Sequence, residues 1–363
     1  MGINLILIDL KRSMTLKIRQ YGKSSAPLIR QKQSFFNEND KHIEEQRKIS
    51  DIYVRQPARL CCKNCGHPLK VEHDFIKDGI KYKICDTCTH LNGSHEDTDE
   101  FCNIVYTGDD GKDYAKNYEV SDVSDFNYRL SSIYIPKAEF LYTSLINDHV
   151  DPHNMKYLDF GSGSGYFVGA LNKIGLKNIS GTEVSKHQVD FGNKMIGLNA
   201  LSVHKMSDTD SILQKTDANV VSLIGVLEHL QNPRSAMMHI QKNNHIKYVY
   251  LSVPLFSLSV FLEMMSDDVY HRQLHGGHTH LYTKKSLQYL AQEFDFDIIS
   301  EWWFGTDIVD LYRHIFINLE KSQSSNELIG SFKEMLLPLI DSMQLELDKK
   351  HCSSEVHLLL KRK

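Results

Sequence analysis

The sequence predicts an α/β protein built on a doubly wound, mostly parallel sheet, and three observations carry that expectation. Tyr157-Leu158-Asp159-Phe160 reads as a buried strand that runs into Gly161-Ser162-Gly163-Ser164-Gly165, with a helix-compatible stretch behind it. Glycines at such a turn adopt dihedrals that other residues avoid and let the backbone approach a ligand closely. Glu183 stands 18 positions after the last glycine, at the end of a second strand-like run, where a nucleotide-binding α/β unit holds a ribose diol. From Ala218 onward, strand-like and helix-like stretches alternate, the pattern of parallel strands joined by crossover helices.

Taken in order, Ala218 to Gly225 is an apolar, β-branched run of strand length, consistent with a parallel strand buried on both faces. It ends in Val226-Leu227-Glu228-His229-Leu230. A helix is expected over about 234–241, a strand over 247–253, a helix over 284–294 capped by Thr283, and a strand over 296–303. A final strand is expected over 315–319, giving two last strands with no long helix between them and hence an antiparallel end to the sheet. Farther on, Ile329, Phe332, Met335, Leu336, Leu339 and Met343 recur at helical spacing. Pro338 kinks or splits that helix, and His357 to Leu360 reads as a short last strand.

The glycine spacing bears on the ligand. A dinucleotide fold uses G-x-G-x-x-G with a pyrophosphate at the helix N-terminus. Here the spacing is G-x-G-x-G, and Asp159 stands two residues before the first glycine. A carboxylate there repels a pyrophosphate and suits a cationic amino-acid ligand. An acidic residue, one residue, then G-x-G-x-G resembles the first motif of class I S-adenosylmethionine-dependent methyltransferases. The resemblance implies a Rossmann-like sheet of that type, with Asp159, Gly161, Gly163, Gly165, Glu183 and Glu228 at the cofactor and Glu183 on the ribose hydroxyls. The Leu227-Glu228-His229 end of the fourth strand is similar to small-molecule methyltransferases, and the N/D-P-P-Y turn of enzymes that methylate adenine or amide nitrogen is absent. In the family, the helix before the first strand and its lead-in form a lid. In the corresponding stretch, Tyr114 to Leu145, Pro136 fits a first helical turn, and Tyr128 or Tyr134 either touches the methionine end or packs the helix onto the sheet.

The acceptor side is expected after the fifth strand, where His271, His275, His278 and His280 fall within ten residues. Three readings stand: a second metal site using His278 and His280, a histidine-rich surface loop, or an active-site loop. His280-Leu281-Tyr282-Thr283 resembles a histidine-bearing element of sugar and small-molecule methyltransferases that faces the acceptor. Methyl transfer from a sulfonium is a direct displacement, so the enzyme mainly aligns the reacting atoms. A hydroxyl or enolisable carbon must also lose a proton, which an imidazole can take. His280 is the expected base, with His278 as alternate and His229 in support.

Cys62-Lys63-Asn64-Cys65 and Cys85-Asp86-Thr87-Cys88 form C-x2-C, 19 residues, C-x2-C, the spacing of a four-thiolate zinc site. Two-residue gaps let both sulfurs of a knuckle reach one tetrahedral ion, and four cysteines leave no open position, so the metal is structural. Lys70 to Glu72 and Ile80 to Ile84 read as ribbon strands. A pair of disulfides is the alternative and needs an oxidising compartment. Cys61, Cys102 and Cys352 are left over as reduced bystanders. A ribbon ahead of such a domain resembles sugar methyltransferases of bacterial deoxysugar and surface-polysaccharide pathways, and also an rRNA methyltransferase family.

The chain has 363 residues, 41% hydrophobic and 24% charged, with a net charge of −4. That balance gives no electrostatic footprint for a polyanion, so nucleic acid is not the expected partner. The organisation expected is an N-terminal arm (1–55), zinc ribbon (56–95), acidic linker (96–125), methyltransferase domain (126–320) and helical C-terminal extension (321–363). Lys11 to Lys48 is locally basic and reads as a solvated arm. Ile3 to Leu10 lacks the flanks of a signal peptide, and the uncharged run Tyr248 to Leu262 is broken by Pro254 and too short to span a bilayer. A cytoplasmic enzyme, monomeric or a homo-oligomer, methylating oxygen or carbon of a sugar or sugar nucleotide is expected. The alternatives are an RNA methyltransferase using ribbon and arm, a non-catalytic cofactor-binding module and, more remotely, an NAD-dependent oxidoreductase.

Overall fold

A computed structural model describes residues 5–9, 17–107, 123–274 and 277–363. Strands β1 (Leu5–Asp9) and β2 (Lys17–Tyr21) come first. The cysteine-bearing segment carries β3 (Phe75–Lys77), β4 (Ile80–Ile84) and β5 (Leu91–Gly93). Next are β6 (Tyr157–Phe160), β7 (Ile179–Glu183), β8 (Leu201–Val203), β9 (Val220–Ile224) and β10 (Tyr248–Pro254). Last come β11 (His280–Leu281), β12 (Phe296–Phe304) and β13 (Glu355–Arg362). Nine of the described strands form one sheet in the order β1-β2-β12-β13-β10-β9-β6-β7-β8, and the other four form a small sheet, β11-β5-β4-β3.

From β10 to β8 every neighbouring pair is parallel. β6 and β9 are adjacent although β7 and β8 lie between them in the chain. Strand order therefore reverses at β6, and a crevice for a ligand opens at the carboxyl ends of the strands there. Side chains alternate between two cores, as period-two geometry requires. Val249, Leu251, Val253, Leu358 and Leu360 enter one. Tyr248, Tyr250, Leu359, Trp302 and Phe304 enter the other.

Several expectations change here. Residues 315–319 are not a strand but lie within the helix Asp307–Lys321. Ile308, Tyr312 and Phe316 recur every four residues and bury one helical face, so period 3.6 prevails over local β-propensity. The short strand expected at 357–360 exists, but as the longer β13, antiparallel to both β10 and β12 in the middle of the main sheet. The stretch 321–363 is thus not an appended helical extension, although its helices Asn326–Leu336 and Ile340–Lys349 do flank a turn containing Pro338. The arm 1–55 is not free either: β2 pairs in parallel with β12, and Tyr53 donates its hydroxyl to the His95 carbonyl. Lys70 to Glu72 forms no strand, Val71 being 88% exposed, and the first ribbon strand is β3. In the stretch read as an acidic linker, Asp97 is buried against Arg59 and Lys63 and Asp99–Cys102 is helical. Its residues 108–122, with Asp109, Asp110, Asp113, Glu119 and Asp122, lie outside the described residues, as do Tyr114 and Tyr118.

Because β13 supplies both hydrogen-bonded edges between β10 and β12, its loss divides the sheet. Leu359→Ala, at a fully buried site, is expected to lower stability by about 2–5 kcal/mol. A chain ending at residue 354 should show no cooperative thermal transition, checked by circular dichroism or calorimetry.

Candidate active site and cysteine centre

Asp159 and Phe160 end β6, and the next turn places Gly161, Gly163 and Gly165 at φ of 71°, 52° and 74°. A Cβ on Gly161 would stand 2.6 Å from Val226 Cγ2, and one on Gly165 2.7 Å from Leu201 Cδ1. Both positions therefore need glycine for backbone angle and for space. The helix Tyr166–Lys173 follows at once. Glu183, ending β7, accepts hydrogen bonds from the amides of Gly163 (2.9 Å), Val184 (2.8 Å) and Ser185 (3.1 Å). These fix its carboxylate beside the glycine turn, where its remaining lone pairs can accept from a diol. Burial pushes the Glu183 carboxyl up, and the three amides pull against that.

The crevice is a cavity of about 480 Å³. Asp159, Gly161, Gly163, Glu183 and Gln188 line it at or just past the ends of β6 and β7, His204, Met206 and Asp210 after β8, and Lys137, Ser252 and Glu355 toward β10 and β13 on the other side in strand order, with Cys102, Tyr106 and His229 also on its wall. Asp159 accepts from Ser222 Oγ at 2.6 Å. Burial, aided by Glu183 and opposed by Ser222 and Lys137, raises its carboxyl to about 7. Tyr134 lines the cavity and stacks on Tyr166 at 5.1 Å, so it faces the ligand space and packs the helix at once. Tyr128 instead lies under the Arg30 guanidinium.

At the end of β9, Glu228 and His229 turn toward the loop 277–281. The Tyr106 hydroxyl is 2.9 Å from His229 Nδ1 and donates to the Gly277 carbonyl at 3.2 Å. His229 Nε2 is 3.9 Å from Glu228 Oε1, and the His278 ring stacks on His229 at 5.1 Å. Ligand atoms of Glu228, His229 and His278 all lie within 4.8 Å of one another. Glu228 Oε2 is buried without a hydrogen-bond partner among the described residues. Burial raises the Glu228 carboxyl to about 8 and lowers the His229 imidazole to about 4. At neutral pH the carboxyl keeps its proton and the imidazole is uncharged, an acid and a base set apart by environment.

His280 lies elsewhere. It is 0% exposed, its Nδ1 is 2.7 Å from His90 Nε2, and it is absent from the cavity wall. The cavity contact expected of His280 falls to His229, because β11 is drawn into the small sheet by pairing with β5. His271 is bound to Gln46 and Asp78. His275 lies outside the described residues. Tyr106 and Cys102 were not legible as site residues, since they sit in a stretch whose charge reads as linker. Phe101, Cys102 and Tyr106 at helical spacing within it are the signal that could have found them.

The four cysteine sulfurs converge, with Cys62 to Cys88 at 3.7 Å and Cys65 to Cys85 at 3.6 Å. A tetrahedral ion held at about 2.3 Å from each thiolate sets sulfurs about 3.8 Å apart, so the set fits such an ion. Asn92 and Asn64 also direct Nδ2 at Cys62 and Cys88 sulfurs, at 3.6 and 3.5 Å, the outer contacts that orient metal ligands. Asn64 donates as well to the Ser286 carbonyl at 3.0 Å, tying the first knuckle to the catalytic domain.

Residues 136–301 match the family model described as a methyltransferase domain. No curated protein matches the chain. Among solved structures, it is similar to magnesium protoporphyrin IX methyltransferase from Synechocystis with bound SAH, at 12% identity, covering 72% of this chain and 97% of that one, with a TM-score of 0.43. It is similar to a SAM-dependent methyltransferase from Archaeoglobus fulgidus at 14% identity, covering 62% and 94%, with a TM-score of 0.38. Plantazolicin methyltransferase BpumL shares 14% identity over 72% of this chain and 94% of its own, with a TM-score of 0.43. By the family match the chain carries a methyltransferase domain, and it is a methyltransferase enzyme.

A carboxyl whose folded pKa is raised from about 4.5 to about 8 holds a proton that the unfolded chain has lost. It therefore favours the folded state less and less as pH climbs from 4.5 through 8. Glu228→Gln should remove that slope, so that the variant's melting temperature gains on wild type between pH 5 and pH 8. A parallel pair of stability curves across that window would overturn the assignment.

Proposed function

We propose that this cavity takes S-adenosylmethionine across the glycine turn, with Glu183 on the ribose hydroxyls and Asp159, Gly161, Gly163 and Gly165 along the methionine end. The acceptor is a small molecule, a sugar or sugar nucleotide, methylated at oxygen or carbon. One observation carries this reading: His229, uncharged and hydrogen-bonded to Tyr106, stands on the wall of the same cavity that Glu183 and Asp159 line. The donor supplies an activated methyl group with its own leaving group. The chain's part is to align the acceptor and to take its proton. His229 accepts that proton, Tyr106 holds the ring through Nδ1, and His278, stacked on it, keeps its plane toward the cavity. The imidazolium formed lies beside the Glu228 carboxyl, whose Oε1 stands 3.9 Å from Nε2. His280 acts from behind, through the His90 contact that fixes the loop bearing His278.

The four cysteines are proposed to hold one structural zinc ion, reduced thiolates fitting a cytoplasmic setting. Among the described residues no helix is long and apolar enough to cross a membrane.

His229→Ala should lower turnover by about two to four orders of magnitude while S-adenosylhomocysteine affinity, read by calorimetry, stays nearly unchanged. Wild-type turnover in that variant would sink the role. Incubation with methyl-labelled S-adenosylmethionine and separate pools of sugar nucleotides, RNA and protein should place label in the sugar pool, and label in RNA alone would overturn the acceptor class. Metal analysis should find one zinc per chain, and Cys85→Ser should lose it together with thermal stability.

A further inference from the structure

Resting on the donor reading above, we propose that Lys137 is the cavity's anchor for the donor's amino-acid carboxylate, with Glu355 holding Lys137 in place. The cavity has two ends of different chemistry on either side of Glu183 and Asp159. Toward β8 it is lined by His204, Met206 and Thr209, and toward β10 and β13 by Lys137, Ser252 and Glu355. A nucleoside fits the first end, whose thioether and imidazole offer flat, weakly polar contacts. The second end carries fixed charge and fits a zwitterion. Asp159 lies between them, its carboxyl sensing Glu183 on one side and Lys137 on the other. A ligand with its ribose on Glu183 and its sulfur near Asp159 therefore runs its remaining atoms toward Lys137.

Lys137 is unusual for a lysine. It stands in the first turn of the helix Ile135–Asn147, just after Pro136, and is only 7% exposed. Its backbone carbonyl accepts from the Tyr250 hydroxyl at 3.2 Å, which pins the turn to the sheet. Its ammonium makes no hydrogen bond to any described residue. Its contacts are Glu355 Oε1 at 3.6 Å and the Tyr134 ring at 5.2 Å. Glu355 Oε1 is already engaged by Ser252 Oγ and His357 Nε2, both at 3.0 Å. A buried ammonium has three protons to satisfy and is costly to leave without acceptors. Lys23 and Arg129 add charge of the same sign, and the Lys23 ammonium is pushed down to about 7 by burial and then by Lys137. Lys137 and the neighbouring Arg129 thus outnumber the one carboxylate, Glu355, that stands near both, a field that an incoming carboxylate relieves.

A carboxylate could instead come from an acidic acceptor, and the test separates the two. The probes are S-adenosylhomocysteine and its decarboxylated analogue, titrated calorimetrically into the full chain. Wild type should prefer the carboxylate-bearing ligand by about 10- to 100-fold, the range of one charge-assisted hydrogen bond. Lys137→Met should lose that preference, with S-adenosylhomocysteine weakened by a similar factor and the analogue within about threefold of wild type. Lys137→Arg, which keeps the charge, should retain most of it, and both variants should melt as single transitions. Full preference in Lys137→Met, equal weakening of both ligands, or a variant changed only in acceptor KM would overturn the proposal. Wild type binding both ligands equally would overturn it while leaving the donor site standing. Failure of wild type to bind either would remove the donor reading itself.

Discussion

The insertion of β13 between β10 and β12 is the constraint on which the rest of the molecule depends. A strand from the last residues of the chain completes the hydrogen bonding of two strands formed far earlier, and its side chains enter both cores. Without it, β12, β2 and β1 would have no partner joining them to the parallel half of the sheet. The same strand brings Glu355 to the cavity, opposite Pro254 at the carboxyl end of β10. Stability and ligand chemistry therefore share one element, and folding of the domain must wait for its C-terminus. Such long-range pairing carries a loop-closure cost that only the completed sheet offsets.

The cysteine-bearing segment is bound to the catalytic domain in a comparable way. Its small sheet is completed by β11, a strand of the loop that carries His278. Gly93 donates its amide to the Thr279 carbonyl at 2.8 Å, and Thr89 and Thr283 hydroxyls meet at 2.7 Å. A Cβ on Gly93 would stand 2.7 Å from that carbonyl, so the approach itself requires glycine. A segment so short buries too little apolar surface to hold its own shape. Convergence of the four sulfurs and docking onto the loop that carries His278 supply what the core lacks, and each rigidifies the other.

Electrostatics around the cavity follow from one fact: Asp159 and Glu183 on its wall and Glu228 beside His229 are all buried carboxyls. Burial raises all three, and the donors that oppose it differ. Glu183 has three amides, Asp159 one hydroxyl, and Glu228 an oxygen with no partner among the described residues. What opposes burial at each group is therefore set by local donors rather than by position in the sequence.

Much of this was legible in the residues themselves. The glycine turn, Glu183, strands β9, β10 and β12 and the two cysteine knuckles depend on short-range requirements: a positive φ, a period of two, a two-residue gap between sulfurs. Those requirements act between near neighbours in the chain, so the order of residues suffices to express them. Three things were settled by the tertiary fold alone. Residues 315–319 became helix because a hydrophobic face at four-residue spacing had a core to cover. The tail became the central strand β13 because β10 and β12 each lacked a hydrogen-bonded neighbour. His229 rather than His280 reached the cavity because pairing with β5 drew β11 away, and Lys137, Glu355 and Tyr106 met there from three distant parts of the chain. No local pattern encodes which side chains converge from such separations; that is decided when burial and strand pairing are satisfied together.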